Sequence, residues 1–318
     1  TEVLGLTHGV PSYTTFWTVF CFLNPEILEK CFVDWVSSMV ELSKGKVVAI
    51  DGKAQRGTAT PGDANSFVHI VSAWASECGI TLGQCKVAGK SNEITAIPKL
   101  LEIIDIEGCI VTIDAMGTQK DIAEKIIEKG GDYILALKGN HSTLHDEVIN
   151  YFEQALEHGT KSIDYQSFEE SNEGHGRVES RYVFVTENID FIECRKDWKK
   201  FKSIICIQSE RTANGKTSSE NRYYISSLIA EPKVSCHSIR SHWGIENSVH
   251  WILDVAFRED AQKAKAGHIT ENLSMIRRIA LNFLKQDKTV KAGIAIKRQK
   301  AGWDNNYLLS VLDVKSFS

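Results

Sequence analysis

The pattern of apolar and polar positions predicts a chain that alternates between strands and helices. Short apolar or alternating runs bounded by turn residues are typical of strands, and apolar positions three and four residues apart are typical of helices. The predicted strands are 46–51, 67–76, 80–88, 109–114 and 133–138. The predicted helices among and after them are 92–104, 118–129 and 144–158. This order predicts an α/β fold with a mixed sheet, antiparallel in its first strands and parallel afterwards, flanked by helices.

The rest of the chain changes character twice. Residues 161–232 hold four further strand-like runs separated by turn residues, which predicts a β-rich insertion. Helical patterns return at 237–260 and 269–286, and residues 1–45 are also helical in pattern. We therefore divide the chain into a helical amino-terminal segment (1–45), the first part of a core (46–160), the insertion (161–232) and a carboxyl-terminal helical part with a basic tail (233–318).

The helix predicted at 237–260 carries a carboxylate on its apolar side. At 100° per residue, five apolar side chains fall within about 60° of Glu246. They are Ile239, Trp243, Val249, Leu253 and Phe257. This pattern predicts a buried Glu246, which requires a cation or another partner because desolvating an unpaired carboxylate is costly.

Two further acids stand at the ends of apolar strands. Asp51 follows the run at 46–50 and Asp114 follows the run at 109–113. If these strands are neighbours, the two carboxylates lie side by side and repel one another unless a cation lies between them. With Glu246 they form the parts of a site for two Mg²⁺ or Mn²⁺ ions, which serve phosphoryl displacement.

Other ligand sets compete with this interpretation. A zinc site is suggested by the four-residue spacing of His242, Glu246 and His250. On a helix, however, the two histidines point about 80° apart. The favoured interpretation is that they flank the acid. Asp254, Glu259 and Asp260 are rival third acids, with Glu259 and Asp260 interpreted as a cap or supporting pair. The eight cysteines form no Cys-x-x-Cys pair, which favours free thiols over a zinc ribbon.

Charge is unevenly distributed along the chain. The net charge is −4, yet residues 263–300 contain ten Lys or Arg and two acids, so this segment carries +8 and the remainder −12. A basic segment on an acidic body suits contact with a phosphate backbone, and a solvated helix face explains it equally well. The sequence contains neither a signal peptide nor an apolar run long enough to span a membrane. We expect a cytoplasmic protein.

Several runs together resemble the DDE transposases of bacterial insertion sequences, in the branch that includes the H-repeat-associated proteins. These runs are AIDGKAQRG (49–57), TIDAMGTQ (112–119), YILALKGN (133–140), GHGRVESR (174–181), HWGIENSVHWILDVAFRED (242–260), ENLSMIRRIALNFLK (271–285) and KRQKAGWDNNYLLSVL (297–312).

The resemblance implies a ribonuclease-H-like core with a β-strand insertion before the last acid, and Asp51, Asp114 and Glu246 as catalytic, metal-binding residues. It also implies two Mg²⁺ or Mn²⁺ ions, DNA as substrate, a homodimer that bridges two DNA ends, and association with the bacterial nucleoid. The residues expected to contact DNA are Lys53, Arg56, Lys138, His175, Arg177, Arg240, His242, His250, Lys263, Lys265, Arg277 and Arg278. A silent DNA-binding remnant and a nuclease that cuts without joining strands are the alternatives.

The sequence departs from the family pattern at several positions. The group often places Tyr and Arg before the last acid and Lys after it, where this chain has Ile239, His242 and Leu253. Ala54 and Gln55 also replace the more usual residues. Relatives usually carry several dozen more residues at the amino end, so we expect the chain to be truncated there.

Overall fold

The chain folds into alternating strands and helices, as its pattern predicts. The computed structural model describes residues 6, 8–40, 42–63, 66–88, 92–158, 164–174 and 177–312. The strands in this part of the chain are β1 (Val47–Gln55), β2 (Val68–Ala75), β3 (Ile80–Lys86), β4 (Ile110–Ile113), β5 (Asp132–Leu137), β6 (Gln166–Gly174), β7 (Arg177–Thr186), β8 (Ser203–Ala213) and β9 (Lys216–Ser226).

The α-helices lie between and after these strands. Those described are α1 (Tyr13–Phe22), α2 (Pro25–Met39), α3 (Glu93–Ile103), α4 (Lys120–Glu128), α5 (Ser142–His158), α6 (Pro232–Ile245), α7 (Trp251–Phe257), α8 (Ile269–Gln286), α9 (Ile294–Trp303) and α10 (Asn305–Leu312). A π-helical turn, Glu246–His250, joins α6 to α7.

The strands hydrogen-bond in the order β3-β2-β1-β4-β5-β9-β8-β7-β6. β2 and β3 pair antiparallel, whereas β1 pairs in parallel with β4, and β4 pairs in parallel with β5. The predicted α/β fold, a mixed sheet flanked by helices, is therefore confirmed. The four strands predicted between 161 and 232 also precede α6, and β9 pairs antiparallel with β5, so they extend the sheet.

The chain groups into two compact units. The first comprises Thr1–Glu41, Asp51–Asp105 and Gly244–Ser318, and the second Leu42–Ile50 and Ile106–Trp243. In the first unit, α2, α3 and α8 pack against β3. In the second unit, Ile134, Ile205 and Tyr224 from the sheet form a buried cluster with Ile239 from α6. The four segments predicted from sequence differ from these units in their boundaries and remain a prediction.

The register between β1 and β4 places the two predicted strand-end acids at equivalent positions of the two strands. The pairing runs from Val47↔Ile110 to Ile50↔Ile113. Asp51 and Asp114 are therefore the residues that follow the last pair on each strand. β1 itself continues to Gln55, beyond the end expected at Asp51, so Asp51 lies within a strand and not at its end.

Two further expectations concern the chain as a whole. None of the helices in the described ranges has both the length and the apolar character that crossing a membrane requires. All eight cysteines are free thiols, as predicted.

One buried acid in the first unit makes the stability of the fold depend on pH. Glu29 of α2 is buried, and its Oε1 accepts a hydrogen bond of 2.7 Å from the backbone N–H of Gln84. Burial raises the pKa of Glu29 to about 8. The folded protein therefore keeps a proton on Glu29 that the unfolded chain releases near pH 4.5. The stability that this proton brings is complete at lower pH and is lost as the pH rises towards 8.

We predict that Glu29→Gln removes this dependence. Glutamine keeps the oxygen that accepts from Gln84 and carries no ionisable proton, whereas the wild type loses up to about 1.4 kcal/mol per pH unit over the interval from pH 4.5 to 8. Urea unfolding at pH 5 and pH 8 measures the difference. The variant should match the wild type at pH 5 and exceed it at pH 8. Equal stabilities at pH 8 would show that Glu29 ionises normally in the folded state.

Candidate metal centre

The first unit brings two of the three predicted acids together with a histidine. One ligand atom each from Asp51, Glu246 and His250 lies within 4.8 Å of the other two. Asp51 belongs to β1, and Glu246 and His250 begin and end the π-helical turn. His250 Nδ1 is 3.1 Å from Glu246 Oε2 and 3.6 Å from Asp51 Oδ2. The imidazole therefore lies between two carboxylates that the sequence assigned to one site.

The burial predicted for Glu246 is wrong. Its side chain is 65% exposed, and Trp243 of the same predicted stripe is half-exposed. The prediction assumed a continuous α-helix, but a π-helical turn closes its hydrogen bonds over five residues instead of four. The extra residue shifts the angular phase between the side chains before and after the turn. Glu246 leaves the apolar stripe, while Val249 and Leu253 stay buried.

His250 is the buried member of the cluster, with 5% of its side chain exposed. Because an ionised carboxylate only accepts hydrogen bonds, His250 Nδ1–H donates to Glu246. This hydrogen bond is the main cause of a lowered pKa of Glu246. Glu246 therefore remains charged at neutral pH and can bind a cation. The prediction that His250 contacts DNA is contradicted by its burial.

The rival acids are engaged elsewhere in the first unit. Lys53 Nζ lies 2.7 Å from Asp254 Oδ1 and 3.5 Å from Asp260 Oδ1. The backbone N–H of Arg56 also donates to Asp260 Oδ1, at 3.0 Å. Lys53 is itself buried, which contradicts its assignment as a DNA contact. These ion pairs attach the end of β1 to the segment around α7 and give Asp254 and Asp260 a supporting role.

Glu259 and Arg278 form a buried ion pair that the sequence did not reveal. Both side chains are 0% exposed, and Arg278 Nη1 donates to Glu259 Oε1 at 3.0 Å. Arg278 Nε donates to Ser72 in β2, and Gln55 in β1 donates to Glu259. The predicted DNA contact by Arg278 is therefore wrong. The doublet Arg277-Arg278 looks like a basic surface in a charge count, although Arg278 faces the core.

Asp114 lies in the second unit, on the loop between β4 and α4. Its Oδ1 accepts from the backbone N–H groups of Met116 (3.0 Å) and Gly117 (3.3 Å). Two residues earlier on β4, the buried Thr112 Oγ1 is 3.1 Å from Nδ1 of the half-buried His242. His242 is thus held against β4 at Thr112, two residues before Asp114 in sequence.

The remaining predicted DNA contacts differ in exposure. Those at the surface are Arg56, Lys138, Arg240, Lys263 and Lys265. Arg240 is paired with Glu170, and Lys265 donates to the Ala59 carbonyl at 2.6 Å. Arg277 is half-buried. His175 lies outside the described residues, and the description of Arg177 is confined to its backbone in β7.

The donor set of the cluster fits a divalent cation. Carboxylate oxygens are the ligands that Mg²⁺ and Mn²⁺ prefer, and Asp51 and Glu246 supply them from two different elements. The exposure of Glu246 leaves the cluster open to solvent. His250, whose Nδ1–H donates to Glu246, is a hydrogen-bonding partner that orients this acid.

Comparisons with known proteins agree on one family. Residues 42–283 match the family model described as Transposase DDE domain. A relative from Escherichia coli O157:H7 with the name "Putative transposase YncI" is 39% identical over 310 residues, which cover 96% of this chain and 78% of the relative. From Escherichia coli K12, "H repeat-associated putative transposase YhhI" is 38% identical over 310 residues, or 96% of this chain and 81% of the relative.

A solved structure of the piggyBac transposase synaptic complex with hairpin DNA has a TM-score of 0.44 and 10% identity, covering 95% of this chain and 64% of that chain. This likeness is too distant to bear on the fold or the activity.

We predict that Arg278→Ala destabilises the fold by about 3–5 kcal/mol, because it leaves the charge of Glu259 buried without its partner. Lys288→Met, which removes an exposed cation just after the same helix, is the control and should change the free energy of unfolding by less than about 0.5 kcal/mol. Urea unfolding of the full chain measures both. If Arg278→Ala kept wild-type stability and weakened DNA binding instead, the original surface assignment of Arg278 would be restored.

Proposed function

Because the chain belongs to the family of DDE transposases, we propose that it is a metal-dependent transposase that cuts the ends of an insertion sequence and joins them to target DNA. The family domain is that of a polynucleotidyl-transferase-type enzyme. The cleavage and joining steps, and their assignment to particular residues, are the proposal.

The observation that carries the proposal is the approach of Asp51 and Glu246 around His250. These two acids are far apart in sequence and come from a strand and a π-helical turn, so it is the fold that brings them together. Asp114 is proposed as the third acid. Its support is the register of β1 and β4, in which Ile50 pairs with Ile113 and an aspartate follows each of them. The carboxyl ends of parallel strands are a frequent location of active sites in open α/β sheets.

The proposed roles of the residues follow from their contacts. Asp51, Asp114 and Glu246 would hold two Mg²⁺ or Mn²⁺ ions, which would activate a hydroxyl nucleophile and stabilise the negative charge on the attacking and leaving oxygens. His250 donates a hydrogen bond to Glu246 and so keeps that carboxylate ionised and oriented. Lys53 attaches the strand that carries Asp51 to Asp254 and Asp260, which limits movement of Asp51 relative to α7.

We assign the contacts with DNA phosphate to exposed cations. They are Arg56, Lys138, Arg240, Lys263 and Lys265. Arg240 would exchange its pairing with Glu170 for a phosphate. Each such contact releases counterions, so binding should weaken as salt rises, by a slope close to one per contact in a double-logarithmic plot. The proposed DNA contacts also include four further residues, namely His242, His175, Arg177 and Arg277. The protein would act in the cytoplasm on the nucleoid, as a homodimer that bridges two DNA ends.

We predict that Asp51→Asn, Asp114→Asn and Glu246→Gln each reduce metal-dependent cleavage more than about 100-fold, beyond the loss of about 10–100-fold that follows removal of a supporting contact. Each change keeps the size of the side chain and removes the charge that binds the cation. The assay uses the full chain, DNA that carries the flanking sequences of the element, and Mg²⁺ or Mn²⁺. Glu128→Gln, an exposed acid of α4, is the matched control.

The outcomes separate the alternatives. Cleavage at wild-type rate by any of the three variants would remove that acid from the site. A wild-type chain that binds DNA in a salt-dependent way and cuts under no metal condition would be a silent DNA-binding remnant. Cleavage without joined products would indicate a nuclease. Loss of folding in all three variants, measured by thermal unfolding, would indicate structural roles for the acids.

A further inference from the structure

The loop that follows Asp114 controls where this carboxylate points. Asp114 Oδ1 accepts two backbone N–H groups of its own loop, from Met116 and Gly117. Such a turn fixes the carboxylate to the backbone that follows it. Any shift of residues 115–118 therefore moves Asp114.

The loop is held by the residues that follow the neighbouring strand. Asn140 Nδ2 donates to the carbonyl of Ala115 at 2.6 Å, and His141 Nε2–H donates to the carbonyl of Thr118 at 2.6 Å. Thr118 Oγ1 in turn donates to the carbonyl of Ala136 in β5 at 2.6 Å. Because β4 and β5 are parallel neighbours, the loops that follow them leave the same edge of the sheet. All these residues belong to the second unit.

The two donors are themselves fixed in direction. A carbonyl oxygen can only accept a hydrogen bond, so the amide nitrogen of Asn140 faces Ala115, and His141 carries a proton on Nε2. The ring of His141 packs edge-to-face on Trp198 at a centroid distance of 5.3 Å and an interplanar angle of 72°. Trp198 is buried. The imidazole is therefore held in one orientation by a core residue, which gives Thr118 a rigid donor.

We propose that Asn140 and His141 are positioning residues for Asp114, which act on metal binding by holding the loop 115–118 from the next strand. This inference rests on the proposed function, in which Asp114 is a metal ligand. Neither residue was expected to have a role from the sequence, although both follow the strand 133–138. A metal-binding side chain requires placement to within about 0.5 Å, and supporting contacts of this kind change metal affinity by about 10–100-fold.

The test is Mn²⁺ binding by calorimetry to the full chain without DNA, which measures the site independently of activity. Asn140→Asp keeps the shape of the side chain but turns a carboxylate oxygen towards the Ala115 carbonyl. His141→Phe keeps a ring against Trp198 and removes the donor, whereas His141→Gln keeps a donor that reaches Thr118. Asn214→Asp, at the exposed turn between β8 and β9, makes the same chemical change away from the loop.

We expect Asn140→Asp and His141→Phe to weaken Mn²⁺ binding by about 10–100-fold with cooperative unfolding preserved, and His141→Gln and Asn214→Asp to stay within about twofold of the wild type. Asn140 is exposed, so its variant should fold even if His141→Phe does not. Wild-type Mn²⁺ affinity in Asn140→Asp would overturn the inference. The variant Asp114→Asn separates a failure of this inference from a failure of the proposed function. If Asp114→Asn also binds Mn²⁺ normally, the metal role of Asp114 in the proposed function fails.

Discussion

The buried charge of Arg278 is the constraint on which the first unit depends. The Arg278 side chain is fully buried, so its guanidinium N–H groups need acceptors from the protein itself. Those acceptors are Glu259, which follows α7, Ser72 in β2, and the carbonyl and hydroxyl of Ser274 in α8. Gln55 at the end of β1 donates to the same carboxylate of Glu259. One ion pair therefore links α8, the sheet and the segment after α7. Asp51 on β1 and the π-helical turn before α7 are both close in sequence to these attachment points, which gives the candidate metal centre a rigid base.

Much of the fold could be predicted because it depends on local patterns. Apart from Thr112 and the terminal Asp114 and Lys138, the runs 109–114 and 133–138 are apolar, and this continuity reflects strands covered on both faces. The helix predicted at 269–286 coincides with α8. The parts that failed depend on tertiary structure. β1 continues past Asp51 to Gln55, since strand length is set by pairing with a neighbour and not by the apolar run alone.

The sequence predicted which acids come together in the candidate site better than it predicted their exposure and their partners. Asp51 and Glu246 do come together, yet a helical wheel with a constant angle cannot anticipate a π-helical turn, which requires one extra residue per turn. From the sequence, His250 was expected to flank the acid and to contact DNA. A charge count likewise cannot show which charged side chains are buried. Arg278 and Lys297 contribute to the basic character of 263–300, and both are buried beside acids. The segment therefore offers DNA fewer cations than its composition indicates.

The acids of the proposed site are oriented by different physical means. Glu246 is exposed and reaches its position through a side-chain hydrogen bond from a buried histidine four residues later. Asp114 is oriented by the backbone of its own loop, and that loop depends on donors that follow the adjacent strand. A carboxylate on a helical surface can rotate and needs one partner to restrict it, whereas a carboxylate on a loop moves with its backbone and needs that backbone restrained. The residues that support such a site therefore follow from the element that carries each acid, and they lie outside the three-acid motif by which the sequence is recognised.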